Sequence, residues 1–180
     1  MTFYQKNNIY INNYKMKNNS NKKTHLIITS IAVLLSAACL VLFMKANVIK
    51  FNHELMPSEK KYNLNQLLED DKDTYNKVFI SLLITLSSNV ICLLVCLFAK
   101  PNKLSKIIKY ITYIINLGTA SLLIYYMSQL KDSFDIITDQ INNYQGMYIN
   151  TNGFTLLFIL TMISCGYNCA YTLFYIFTKM

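Results

Sequence analysis

The chain has 180 residues, 53% of them apolar and only 14% charged, with a formal net charge of +8. Its charges fall in a few blocks separated by long uncharged gaps, so its solvent is partly lipid and an ordinary water-soluble domain is excluded. Nucleic-acid binding is also excluded as the reason for the basic balance: the lysines flank apolar runs and no binding module accompanies them.

Residues 1–24 are polar and biased in composition, with "KNNIYINNYKMKNNSNKK" at their centre and Lys6, Lys15, Lys17, Lys22 and Lys23 unopposed by any acidic residue. Such a leader is expected to be disordered in water. Phe3, Tyr4, Tyr10 and Tyr14 among the lysines also suit an anionic leaflet, where each nearby lysine contributes about 1 kcal/mol. Four uncharged runs follow within residues 25–180: Leu26 to Met44, Val78 to Ala99, Tyr110 to Leu130 and Gly153 to Thr178, each of 19 to 26 residues. At about 1.5 Å per residue each covers the roughly 30 Å hydrocarbon core of a bilayer. They predict transmembrane helices over about 26–47, 78–99, 107–130 and 153–178, joined by outer loops 48–77 and 131–152.

The first run also invites a signal-peptide reading, because two lysines precede it and "LSAAC" (Leu35 to Cys39) loosely matches a lipoprotein cleavage box. Continuation through "LVLFM" and the long basic leader favour an uncleaved anchor. All nine acidic residues lie in the two outer loops, whereas the leader and the elbow with Lys100, Lys103, Lys106 and Lys109 contain none. The positive-inside rule therefore predicts an even number of spans with both termini cytoplasmic, and Lys22, Lys23 and the four elbow lysines in contact with anionic lipid. In the first outer loop, "QLLEDDKDTY" lacks the glycine turn and ligand spacing of an EF-hand and reads as a solvated acidic edge. In the second, Phe134, Ile137, Ile141 and Tyr144 recur opposite Asp132, Asp135 and Asp139, the pattern of a short amphipathic helix at the outer interface.

Polar residues inside the runs keep to helical spacing. The fourth carries Thr161, Cys165, Asn168, Thr172 and Tyr175; the second Thr85, Asn89, Cys92 and Cys96, with Ser88 beside them. The third carries Thr112, Asn116 and Thr119 with Gly118 adjacent, and the first Thr29, Ala32, Ser36 and Cys39. Steps of three and four place each set on one face, and small or weakly polar stripes are how membrane helices pack. Asn89, Asn116, Asn168 and Ser36 fall near the midpoints of their runs. Converging stripes would form one neutral polar layer in which amides bond one another, either as interhelical glue or as a solute site.

The chemistry-bearing motifs are absent from the sequence. No ionisable residue lies near the middle of a run, whereas ion-coupled pumps place one there; four-span drug antiporters use a glutamate in their first helix, and the first run here has none. The five cysteines, Cys39, Cys92, Cys96, Cys165 and Cys169, all lie within runs and lack C-x-x-C spacing. His25 and His53 lie outside the runs, so neither a zinc site nor any other metal or cofactor is expected. There is no nucleophile elbow, P-loop or paired carboxylate at membrane depth, and no enzyme activity is expected. Claudins and tetraspanins share the expected four-span topology, yet the loop cysteines and the tryptophan motif that mark those families are missing here.

The sequence thus predicts an all-α integral membrane protein, a four-helix up-down bundle with left-handed crossings near +20°. Little soluble mass and short loops point to an accessory or regulatory subunit docking on a larger membrane transporter, cation pump or translocation complex. The alternative is a self-assembling channel or carrier built on the midplane layer. Plasma membrane and endomembrane are equally compatible with the sequence.

Overall fold

Backbone amides in hydrocarbon have no water to bond, so an apolar run must close its hydrogen bonds within a helix. The computed structural model describes residues 3–45, 49–53, 60–62, 72–99, 102–142, 147–149 and 152–179. It contains four long helices, α1 (Phe3–Lys45), α2 (Lys72–Phe98), α3 (Lys103–Asn142) and α4 (Asn152–Lys179). Three short strands accompany them: β1 (Ile49–His53), β2 (Lys60–Tyr62) and β3 (Met147–Ile149). The segments Lys23–Met44, Lys72–Phe98, Lys103–Ile136 and Gly153–Ile176 are long and apolar enough to cross a membrane.

Three helices overrun the expected spans. α1 begins at Phe3, so its helix extends back through the polar leader. Residues 3–45 contain no Gly or Pro, and a helix nucleated in the apolar run can propagate backwards at little cost per residue. α2 starts at Lys72 and α3 runs on to Asn142, well into the expected outer loops. Each extension carries an exposed i,i+4 pair of the sort that supports a solvated helix end: Lys77 with Asp73, and Lys131 with Asp135. The amphipathic segment after residue 131 is therefore the last turns of α3 rather than a separate interfacial helix. Its Phe134 is buried against Phe154 of α4, ring centroids 4.5 Å apart; the side chains of Ile137 and Ile141, and all of Tyr144, lie outside the described residues.

The loops also form structure that hydrophobic patterning did not signal. β1 is the central strand of an antiparallel sheet in the order β2-β1-β3. It pairs Phe51 with Lys60 on one side and with Ile149 on the other, so the sheet joins the segment after α1 to the segment after α3. Two of its strands are three residues long, too short for a period-two pattern to stand out.

The helices neighbour one another in a ring, α1 to α2 to α3 to α4 and back to α1. The tight α2–α3 elbow is fixed by a reciprocal cap. Asn102 Oδ1 accepts the Ser105 backbone N–H at 2.8 Å, and Ser105 Oγ accepts the Asn102 N–H at 3.2 Å, which satisfies two otherwise orphaned donors at the start of α3. The interior has two apolar zones. One gathers Phe43, Leu82, Met127, Leu130, Phe134 and Leu157 among others; the other is built from Cys92, Cys96, Tyr113, Tyr171 and Tyr175. Ile, Leu and Phe side chains such as Leu34, Ile84, Ile114 and Phe174 cover the outside.

Candidate functional site

The stripe residues Thr29, Ala32, Ser36 and Cys39 of α1, Thr85, Ser88, Asn89, Cys92 and Cys96 of α2, Thr112, Asn116 and Thr119 of α3, and Thr161, Cys165, Asn168, Thr172 and Tyr175 of α4 are all buried. Gly118 is not among them. It faces outward, and a Cβ placed there would meet nothing within 4 Å, so it does nothing to bring α3 against a neighbour within the bundle.

Near the middle, side chains of three helices form a continuous hydrogen-bond chain. Asn116 Nδ2 donates to Asn89 Oδ1 at 2.7 Å, Asn89 Nδ2 donates to Ser36 Oγ at 2.9 Å, and Ser36 returns its proton to the Ala32 carbonyl at 2.8 Å. At the other end the Ser88 hydroxyl meets Asn116 Oδ1, with the Thr85 carbonyl 3.0 Å away as its alternative acceptor. The donors run in one direction, from α2 through α3 and back through α2 to α1, and end on a backbone carbonyl. One helical turn away Thr85 lies 3.0 Å from Thr119, which adds a second α2–α3 contact. In lipid each such interhelical bond contributes about 0.6–2 kcal/mol.

Asn168 does not join this chain. Its Nδ2 donates to the Ser164 carbonyl of its own helix at 2.9 Å, and its Oδ1 is buried with no hydrogen-bond partner. Thr161 Oγ1 and Thr172 Oγ1 are in the same position. The Cys39 thiol lies beside Thr161 and Ser164, but at a geometry that leaves the Thr161 oxygen unbonded. Elsewhere Thr29, Thr119 and Thr138 return their protons to the carbonyl four residues earlier, the ordinary way a membrane helix satisfies a hydroxyl. All three orphaned atoms therefore belong to α4, and each would cost about 1–3 kcal/mol if left unmade. The three-amide layer anticipated from sequence is a two-amide chain plus an isolated amide.

A second cluster, unanticipated from sequence, closes one end of the interior. Tyr171 Oη lies 2.9 Å from both Thr29 Oγ1 and Tyr113 Oη, and 3.5 Å from His25 Nδ1. Cys92 Sγ donates to Tyr113 Oη at 3.7 Å. Because the Thr29 proton goes to the His25 carbonyl at 2.7 Å, Thr29 accepts from Tyr171, and the cluster again has a consistent direction, from Cys92 through Tyr113 and Tyr171 to Thr29. Tyr175 packs on Tyr113 at 4.3 Å and edge-on to His25 at 4.9 Å. Tyr167 Oη donates to the Ile28 carbonyl at 3.0 Å. The available signal was the spacing of Tyr167, Tyr171 and Tyr175, four residues apart along α4.

Among the described residues the buried polar side chains are Ser, Thr and Asn, with tyrosine hydroxyls and free thiols beside them. Neutral groups of this kind can accept and relay hydrogen bonds but cannot hold a charge at membrane depth. Among the described residues no group of three His, Cys, Asp or Glu side chains is placed to hold a metal. Of the basic residues, Lys23, Lys103 and Lys106 are exposed and Lys109 is half-buried, with its ammonium near Cys96. Lys100 and the side chain of Lys22 lie outside the described residues, as do the loop residues Gln66 to Asp71.

No family model, curated protein or solved structure matches the chain.

Proposed function

We propose that this protein is a small accessory subunit that docks on a larger integral membrane protein, a transporter, cation pump or translocation complex. The observation that carries the reading is on the outer face of α4. Gly166 and Ala170, four residues apart, are both exposed between Ile163 and Phe174, and a Cβ built on Gly166 would meet nothing within 4 Å. A small-xxx-small step facing lipid lets a second transmembrane helix approach backbone to backbone. Gly118 and Ser121, three residues apart, are also small and exposed on α3. The internal chain from Ser88 to Ser36 supports the same reading, because it consumes the amides of α2 and α3 in holding the bundle together.

The neighbour contacts favour an up-down arrangement. Positions rising along one helix meet positions falling along the next: Ser36 and Phe43 with Asn89 and Phe79, Thr85 and Ser88 with Thr119 and Asn116, Tyr113 and Phe134 with Tyr171 and Phe154. Together with the lysine distribution this supports the reading that both termini are cytoplasmic. There the α1 extension over residues 3–22, about 30 Å of helix, lies within reach of anionic lipid headgroups, as do Lys23, Lys103 and Lys106.

Purification in mild detergent followed by mass spectrometry tests the reading. Reproducible recovery of one large polytopic protein is the expected result. A pure homo-oligomer that conducts ions in liposomes would overturn it in favour of the second reading, a self-assembling channel or carrier, which the orphaned polar row of α4 favours.

A further inference from the structure

We propose that the inner face of α4 binds buried water at Asn168 and Thr172. Asn168 is 1% exposed and Thr172 fully buried. Asn168 has already committed its amide nitrogen to the Ser164 carbonyl, so its unpartnered Oδ1 can only accept, and the missing partner must be a donor. Thr172 stands one turn further along the same face, with a hydroxyl whose proton is not returned to its own backbone. Water in this seam would donate to the amide oxygen and accept from the hydroxyl, through one molecule or a short chain of them. Thr161, seven residues before Asn168 on the same stripe and equally unpartnered, offers a further station.

The chemistry selects water over an ion. By helix rise Thr161 stands about 10 Å from Asn168, so the three oxygens do not converge on one point. The buried polar groups described here are neutral, so nothing would balance a charge. Water is small and neutral, and it is what ordinarily satisfies buried polar groups that the protein leaves unpaired. Tyr171, next to Thr172, belongs to the hydroxyl cluster that reaches half-buried His25 through a 3.5 Å contact. The proposal is independent of whether the outer face of α4 meets a partner.

The test uses the full chain reconstituted in lipid bilayers and water itself as the probe, in solid-state NMR that transfers magnetisation from water protons to side-chain amides. The Asn168 amide is expected to receive water magnetisation at least about twofold faster than the Asn89 amide, whose bonds all go to protein. Equal or slower transfer at Asn168 would overturn the proposal on the native protein, with no variant involved. Thr172→Val is then expected to halve transfer to Asn168 and leave Asn89 unchanged, and Thr172→Ser, which keeps the hydroxyl, to restore it. Undiminished transfer in Thr172→Val would remove Thr172 from the site.

Discussion

Asn89 and Asn168 are the same side chain, each 1% exposed near the middle of its helix, yet one is bonded on both sides by neighbouring helices and the other bonds only its own backbone. The difference extends to the helices that carry them. α1, α2 and α3 are laced through Ser36, Asn89, Asn116 and Ser88, with threonines that close on their own carbonyls. α4 is held by tyrosine hydroxyls at one end, Tyr171 with Thr29 and Tyr113 and Tyr167 with the Ile28 carbonyl, and by aromatic contacts, Tyr113 with Tyr175 and Phe134 with Phe154, and it keeps three inward oxygens unpaired. Hydrogen bonds across a seam fix register because they fail over a fraction of an ångström, whereas aromatic contact tolerates small slides. The contrast therefore distinguishes three helices laced at their midpoints from a fourth whose interhelical hydrogen bonds lie at its tyrosine end, with Asn168 outside them.

Gly166→Leu probes the outer face of α4 and should have the largest effect. It is expected to reduce recovery of a co-purifying membrane partner at least about tenfold, equivalent to about 1.4 kcal/mol, while leaving thermal unfolding of the isolated bundle unchanged, since the new side chain enters open space. Full recovery of the partner would remove α4 as the docking helix. Asn89→Leu comes next. It removes the donor to Ser36 and leaves buried Asn116 Nδ2 without its acceptor, so unfolding in detergent should show a loss of about 1–3 kcal/mol.

Asn168→Leu sharpens the contrast directly. It removes no interhelical protein bond, and the loss should stay below that of Asn89→Leu, at about 1 kcal/mol or less. Equal losses would show that α4 is laced as tightly as the others. Tyr171→Phe takes away a hydroxyl shared with Thr29 and Tyr113, and about 0.5–1.5 kcal/mol is expected for a single net hydrogen bond of this type. Lys131→Ala removes an exposed i,i+4 pair with Asp135. Water screens that pair, and no measurable change in unfolding should follow.

The charge gaps made the four apolar helices legible, because a bilayer admits few other structures in a run of that length. Their ends were less legible. Charges at Lys72, Asp73 and Lys131 were assigned to loops, but long side chains at a helix end keep their heads in water while the backbone continues helical. The polar stripes were legible as faces. Their partners were not, since spacing along one helix is silent on the height at which a neighbour stands. Nothing in the run distinguished Asn168 from Asn116, and nothing in Gly118 itself told inside from outside. The tyrosine cluster was missed because a tyrosine in an apolar run suits both lipid and core, and only the neighbouring helices decide between them.

By itself, then, the sequence determined the number of apolar helices and the angular position of the polar groups on each, both of which follow from local composition and the 3.6-residue period. The tertiary structure alone decided which amide bonds which hydroxyl, which oxygens stay unpaired on α4, and that the strands on either side of the bundle segments share one sheet. Those outcomes depend on the relative height and rotation of separate helices, and a hydrogen bond depends on both to within a few tenths of an ångström.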